Sequence, residues 1–412
     1  LVGSEMCIRD SLIAAQAVAL LHQAGIPEHA LQLLPGDGET VGEALVAHPS
    51  TNAVVFTGSH PVAQHIHRRL SQRLGSHGKP VPLIAETGGI NAMVVDSSAL
   101  SEQVVGDVLM SAYDSAGQRC SALRLLCLQE DSADHVLRML RGAMQELRVG
   151  NPDQLATDVG PVIDAQARAD IEAYIEQMRG QGHTVTRLDL PAECRHGHFV
   201  APTLIEVSRV QDLSREVFGP VLHVLRYARK DMDALLQDIN SLGFGLTFGV
   251  HTRLDETVAH VSERIHAGNI YVNRNIVGAV VGVQPFGGEG LSGTGPKAGG
   301  PLYLFRLLAQ APALEQLPVL TARGPQTLNV AAGQQVLLDG PTGETDQYLL
   351  QARGAIWCLP LTVDGLQAQW QACQATGNTL LLQDTPALRA LVAQWQHCLL
   401  YTSPSPRDQR GS

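Results

Sequence analysis

Short apolar runs of strand length alternate with helical patterns through most of this chain, and that alternation limits it to an α/β architecture. Asn52–Phe56, Val81–Ala85, Ala92–Val95, Leu123–Leu128, Gly182–Leu188, Phe199–Val207, Val221–Tyr227, Gly245–Val250 and Gly268–Val272 read as strands. Glu102–Ala112, Ala133–Leu147, Ala165–Arg179 and Met232–Asn240 read as helices. Nearer the start, a helix over Leu12–Gln23 is stopped by Gly25 and Pro27, a short buried strand comes next at Leu31–Leu34, and a helix covers Val41–Ala47. Another helix runs from Ser59 to about Leu74. The pattern is that of a doubly wound sheet. Beyond about Pro318 the texture changes to glycine- and proline-containing turns. A strand at Ala355–Leu359, a helix at Leu366–Ala375, a strand at Thr379–Leu382 and a helix from Ala387 then repeat the βαβ style.

At 412 residues the chain is long enough for two or three domains, and 40 glycines suit a glycine-punctuated α/β protein. A formal net charge of −11 without a basic run argues against binding nucleic acid or an anionic membrane, and no apolar stretch reaches membrane-spanning length. Seven cysteines in no pattern give no disulfide framework, which points to a reducing cytoplasm. Cys194, His196 and His198 are too few and too close for a tetrahedral zinc site, so a solvated loop and no metal are expected there.

Both ends read as foreign. Leu1–Ser11 carries no periodicity that continues into the helical pattern from Leu12, and Cys398–Ser403 can be encoded by a DNA string whose reverse complement, in a shifted frame, gives Met6–Asp10. Non-native flanks over residues 1–11 and 397–412, similar to translated sequencing adapter, are the expectation.

Chemistry concentrates at Ser115-Ala116-Gly117-Gln118-Arg119-Cys120-Ser121, on a connection between a helical pattern and the Leu123–Leu128 run. A cysteine there is either a nucleophile or a small core residue. A nucleophilic thiolate needs a base and oxyanion donors. Upstream, Ala85-Glu86-Thr87-Gly88-Gly89 puts a carboxylate beside two glycines at a strand end; downstream lie Glu216-Val217-Phe218-Gly219-Pro220 and Gln284-Pro285-Phe286-Gly287-Gly288. Phe56-Thr57-Gly58-Ser59 closes a strand and opens a helix, where free amides and the helix dipole can receive a phosphate, or where Ser59 is an ordinary N-cap. The Phe56–Ser59 turn is not a G-x-G-x-x-G fingerprint. The turn Gly340-Pro341-Thr342-Gly343 is a surface turn or, less readily, a phosphate cradle.

Together and in this order, these motifs resemble the aldehyde dehydrogenase superfamily. The segment Gly268–Gly295 resembles, within it, the glutamate-semialdehyde dehydrogenase module of bifunctional proline-utilisation A proteins. The resemblance covers nearly everything from Leu12 to about Gln396, and Ile90 stands where it leads one to expect glutamine. It implies an aldehyde dehydrogenase fold, with a partial NAD-binding domain over 12–88, a catalytic domain over 89–285, a return segment over 286–317 and a truncated C-terminal α/β domain over 318–396. Cys120 is the implied nucleophile and Glu86 the general base. Phe56, Thr57, Gly58, Ser59, Thr87, Gly88, Glu216 and Phe218 are the implied NAD contacts. Ser121, Gly278, Ala279 and Phe286 are implied to hold the substrate, L-glutamate γ-semialdehyde, whose α-carboxylate needs donors from a loop without bulky side chains. FAD is implied only in an upstream proline dehydrogenase module, and a homo-oligomer in the full-length protein. An aldehyde dehydrogenase of different substrate range and a noncatalytic assembly module are the alternatives.

The oxyanion asparagine and the adenosine-ribose lysine and glutamate of the resembling family lie upstream of Leu12. Losing one oxyanion donor costs about 10²–10³-fold in rate, so this chain alone is expected to be inactive. Assaying NAD-dependent aldehyde oxidation by the chain beside the full-length protein checks this, and comparable turnover contradicts it.

Overall fold

The computed structural model describes residues 2–5, 8–76, 78–308, 316–321, 324–329, 333 and 335–402. Of the flanks expected to be foreign, residues 1, 6, 7 and 403–412 lie outside the described residues. The chain divides into two compact units, Leu1–Ala279 with Phe286–Ala298, and Val280–Pro285 with Gly299–Ser412.

The first unit opens with β1 (Val2–Glu5), α1 (Ile8–Gln23) and β2 (Gln32–Pro35), β1 pairing parallel with β2. Two expectations are corrected here. The helix begins at Ile8 rather than Leu12, because Asp10 and Ser11 carry helical backbone without a break. The strand at Leu31–Leu34 is not buried: Leu34 is 40% exposed and Gln32, Leu34 and Pro35 face outward. Next come α2 (Glu43–Ala47), β3 (Val54–Thr57), α3 (His60–Ser71) and β4 (Leu83–Glu86). β3 pairs parallel with β4, Thr57 opposite Glu86, over a small core of Val46, Ala63, Ile66, Leu70, Val81 and Leu83. The strands of this region form two separate parallel pairs, β1–β2 and β3–β4.

The main sheet comes next. Its elements in chain order are β5 (Asn91–Val95), α4 (Ser101–Tyr113), β6 (Leu123–Gln129), α5 (Glu130–Gln145), α6 (Ala165–Gly180), β7 (Thr184–Arg187), β8 (Thr203–Val207), β9 (Val221–Tyr227), α7 (Met232–Ser241), β10 (Phe244–Gly245), β11 (Thr247–His251), α8 (Asp255–Ser262), β12 (Asn269–Val272) and β13 (Glu289–Gly290). Seven strands assemble in the order β12-β11-β5-β6-β9-β8-β7, parallel except for the edge pair β7–β8. Every residue of β5 and β6 is buried, as strands covered on both faces require, and this is why both read as unbroken apolar runs. The helices α4 and α5 pack on β6 and β9. The loop expected to be solvated carries a short 3₁₀ turn, Ala192–His196, that is exposed as expected except at Cys194, which is buried with its thiol donating to the Val149 carbonyl at 3.6 Å.

In the second unit, α9 (Tyr303–Leu307) precedes two antiparallel hairpins, β14 (Gln316–Thr321) with β15 (Gly324–Asn329) and β16 (Gln335–Leu338) with β17 (Asp346–Leu349). The Gly340–Gly343 turn is the connection of the second hairpin. Gly343 there takes φ +90, which only glycine adopts without strain, and the Asp346 carboxylate crowds Gly340, so the turn reading accounts for it. The expected βαβ unit then appears as β18 (Ala355–Cys358), α10 (Val363–Ala375), β19 (Thr379–Leu382) and α11 (Pro386–Thr402), β18 and β19 being parallel. No helix among the described residues is long and apolar enough to cross a membrane.

Candidate active site

The connection between α4 and β6 carries Cys120 to the amino ends of the central strands. Three successive residues, Ser115, Ala116 and Gly117, take positive φ of 55, 53 and 64. Left-handed backbone at the two non-glycine residues costs on the order of 1 kcal/mol each, so the surrounding contacts must hold it. They do so through the two residues before the nucleophile. Gln118 donates to the Ser115 and Pro161 carbonyls and accepts from the Ile163 amide at 2.8 Å. Arg119 bonds the Ser115 hydroxyl at 3.0 Å and pairs with Asp114 at 3.0 Å. Gly117 is obligatory, because a Cβ there would lie 2.1 Å from the Gly219 carbonyl oxygen.

A residue that sequence reasoning passed over fixes the loop to the sheet. Asn91, buried at the start of β5, donates from Nδ2 to the carbonyls of Cys120 (2.7 Å) and Ala122 (2.9 Å), while its Oδ1 accepts from the Thr247 amide of β11 (3.1 Å). Thr247 Oγ1 reaches the Ser121 carbonyl at 3.3 Å. The only signal in the sequence is a polar residue at the mouth of an apolar strand, just after Glu86-Thr87-Gly88-Gly89.

Glu86 ends β4. One carboxylate oxygen accepts from the Gly288 amide at 2.7 Å, and the other is buried without a hydrogen-bond partner among the described residues. Cβ atoms on Gly287 and Gly293 would come within 3.0 and 2.8 Å of this carboxylate, so the glycines of that segment make its room. Burial pushes the Glu86 carboxyl up to about 7, against the opposing effects of the Gly288 amide and the Lys297 ammonium. Lys297, bonded to the Gly268 carbonyl, is pushed down to about 8 by burial. The Cys120 thiol is half-buried; burial first, then the charges of Glu216 and Glu86, hold its pKa above the ordinary thiol value.

The candidate cofactor residues fall into two groups. Glu216 is packed against Gly88, where a Cβ would lie 2.1 Å from its carboxylate, and burial raises its pKa. Phe218 beside it is 46% exposed. In the second group, Phe56 is half-buried, and Thr57, Gly58 and Ser59 are exposed at the amino end of α3. Ser59 occupies the N-cap position with no side-chain cap bond, so it is not the ordinary cap that was the alternative. Thr87 is buried and its hydroxyl donates to the Leu291 carbonyl at 2.7 Å.

Among the residues expected to hold the substrate, the Gly278 amide donates to the Ser121 hydroxyl at 3.3 Å, and the Tyr271 hydroxyl donates to the Gly278 carbonyl at 2.9 Å. Gly278 takes φ +75 and a Cβ there would meet open space, with Ala279 half-buried next to it. Phe286 is half-buried and its backbone pairs with Ala298. Among the described residues no cluster of histidine, cysteine and acidic groups could hold a metal ion.

The aldehyde dehydrogenase family model matches residues 8–309. Among known proteins, the chain is 52% identical over 420 residues to the bifunctional protein PutA of Klebsiella aerogenes, which covers 92% of this chain and 32% of that relative. It is 37% identical over 296 residues to the 1-pyrroline-5-carboxylate dehydrogenase of Geobacillus kaustophilus, covering 71% of this chain and 57% of the relative. A crystal structure of bifunctional proline utilization A superposes with a TM-score of 0.70 at 53% identity, over 74% of this chain and 30% of that one. The chain thus spans about a third of the length of the first of these relatives.

Replacing Asn91 by alanine leaves two buried carbonyls and a buried amide without their partner, at about 1–3 kcal/mol each if nothing relaxes. Asn91→Ala is therefore expected to lower unfolding stability by several kcal/mol and, by loosening the loop that keeps the thiol buried, to speed alkylation of Cys120, measured by denaturant titration and iodoacetamide labelling. Unchanged labelling would mean the loop holds itself.

Proposed function

The chain belongs to the aldehyde dehydrogenase family, and we propose that it carries the NAD-dependent oxidation of L-glutamate γ-semialdehyde to L-glutamate, the second step of proline catabolism. The observation that carries this reading is a half-buried cysteine on a strained loop, flanked by two half-buried carboxylates with different partners.

The residues present fit a nicotinamide dinucleotide. Glu216 Oε1 is buried with no hydrogen-bond partner among the described residues, the Phe218 ring beside it is exposed, and the amino end of α3 lacks a side-chain cap. When bound, the oxidised dinucleotide supplies the hydride acceptor. Glu216 would hold the nicotinamide ribose, Phe218 would pack beside the ring, and the Phe56–Ser59 turn would meet the pyrophosphate.

Cys120 as thiolate adds to the aldehyde carbon, forming the C–S bond of a thiohemiacetal whose oxyanion is held by the Cys120 amide. Loss of hydride from that carbon leaves a thioester on Sγ. Glu86 then takes a proton from water as the water oxygen bonds to the carbonyl carbon. The C–S bond breaks and the thiolate returns to Cys120. A base with a pKa of about 7 is half ionised near neutrality, so hydrolysis should fall as pH drops below that value.

The preference for glutamate semialdehyde rests on Ser121 with the Gly278–Ala279 amides, which would receive the α-carboxylate while Phe286 packs on the aliphatic chain. NAD rather than NADP, a homo-oligomeric full protein and a cytoplasmic location belong to the same reading and are supported by the family likeness alone. A different aldehyde range is the second reading, and Gly278 separates the two.

In the full protein, Glu86→Gln is expected to give a normal NADH burst followed by turnover slower by on the order of 10²-fold, with Cys120→Ala showing neither phase. Stopped-flow absorbance checks this, and equal slowing of burst and turnover by Glu86→Gln removes its role as base.

Gly278→Val fills the open space beside Ser121 and strains a position at φ +75. It should raise KM for the semialdehyde at least about tenfold more than for propanal, roughly the loss of one charged contact. Steady-state kinetics on both substrates decides it, and an unaltered preference takes this loop out of the site.

A further inference from the structure

The guanidinium of Arg124 lies inside the protein, its side chain 1% exposed, at the second position of β6, whose other side chains are nearly all apolar. Burying it carries a desolvation penalty that an apolar residue of similar size would not incur. Its contacts indicate what it secures. One NH group donates to the Gly219 carbonyl at 3.0 Å and another to the Arg119 carbonyl at 3.2 Å. The latter group also lies 3.7 Å from Glu216 Oε1, and the guanidinium carbon sits 5.4 Å from the centre of the Phe218 ring. Every one of these partners belongs to one of two segments, the loop before Cys120 or the Glu216–Gly219 stretch.

We propose that Arg124 is a positioning residue that holds the Glu216 carboxylate and the Phe218 ring at a fixed distance from the nucleophile loop, ready for the nicotinamide ribose. The inference rests on the reading of Glu216 and Phe218 as cofactor contacts. A guanidinium suits the task because its planar fork bonds two carbonyls and faces an aromatic ring at once, which an ammonium cannot do.

A second consequence is electrostatic. The charged groups that bear on Glu216 are Arg124 from β6 and the Cys120 thiol from the loop, with Glu86 acting on the same thiol from the end of β4. The neighbouring cations are directed elsewhere, Arg215 onto the Tyr174 ring and Arg119 onto Asp114. Burial raises the pKa of Glu216 and Arg124 opposes that rise. Without the guanidinium, Glu216 would take up a proton at higher pH and lose an acceptor for a ribose hydroxyl. Dinucleotide binding would then weaken near neutrality and recover in alkaline solution.

The test is calorimetric titration of the full protein with NAD⁺ from neutral to alkaline pH, on the wild type, Arg124→Met, Arg124→Lys and Glu216→Gln, with steady-state KM for aldehyde alongside. Arg124→Met is expected to bind NAD⁺ about tenfold more weakly near neutrality, the scale of one charge-assisted contact. Its affinity should rise with pH while KM for the aldehyde stays within about twofold. Arg124→Lys keeps the charge but not the fork, so it should lose affinity to a smaller degree and without the pH dependence. A loss in Arg124→Met that is the same at every pH, or matched in the aldehyde KM, marks a merely structural arginine and overturns the proposal. Should Arg124→Met fail to fold, wild-type affinity in Arg124→Lys overturns it instead. Glu216→Gln separates the two layers: wild-type affinity there would discard the cofactor reading of Glu216 itself, and the proposal with it. Weak binding there with intact binding in Arg124→Met would discard only Arg124.

Discussion

Three hydrogen bonds from one buried amide join the reactive loop to the sheet. Asn91 satisfies the carbonyls of Cys120 and Ala122 and takes the amide of Thr247, so two neighbouring strands and the loop share a single side chain. Unpaired, those backbone groups would each lack a partner in a region closed to water. The strained run from Ser115 to Gly117 is tolerated because Asn91 grips the loop after Cys120 while Gln118 and Arg119 grip it before. The site therefore sits at the amino ends of β5, β6 and β11, where Asn91 and Thr247, the first residues of β5 and β11, both bond backbone carbonyls of the Cys120–Ala122 loop.

Charge in the site is arranged in two pairs. Glu86 is opposed by Lys297 and Glu216 by Arg124, and in each pair burial works against the ionised form of both partners. Low dielectric makes each charge expensive alone and each partner strongly felt. The balance leaves Glu86 near 7, where a carboxylate can both accept and release a proton during turnover. The same field disfavours a resting thiolate at Cys120. A Cys120 thiol whose ionisation is disfavoured beside Glu86 and Glu216 fits the proposed reaction, in which assembly of the ternary complex precedes attack.

Much of the central fold was legible because parallel strands buried on both faces are written as continuous apolar runs. Leu123–Leu128 and Ala92–Val95 lie where such runs predict, and Cys120 falls on the connection that precedes one of them. What stayed hidden was polar and tertiary. Asn91 reads as a strand's first residue and Arg124 as a blemish in an apolar run, since neither reveals its partners, which are 29 to 156 and 5 to 95 positions away. Lys297 became meaningful only once Gly268 and Glu86 were brought beside it. The hairpins at Gln316–Asn329 and Gln335–Leu349 and the helix α8 were missed because short strands with proline and glycine, and an eight-residue helix rich in polar residues, carry weak periodicity. Leu31–Leu34 looked buried from its leucines, yet half of an isolated two-stranded pair faces outward.

The central claim is that chemistry passes through a covalent bond to Cys120 that Glu86 then resolves. Its most direct measurement is peptide mass spectrometry on the full protein after acid quench of a reaction with glutamate semialdehyde and NAD⁺. The account predicts a glutamyl thioester on the peptide containing Cys120, accumulating when Glu86 is replaced by glutamine and absent when NAD⁺ is omitted. An adduct on any other residue, or product formed with the Cys120 peptide unmodified throughout, would contradict it.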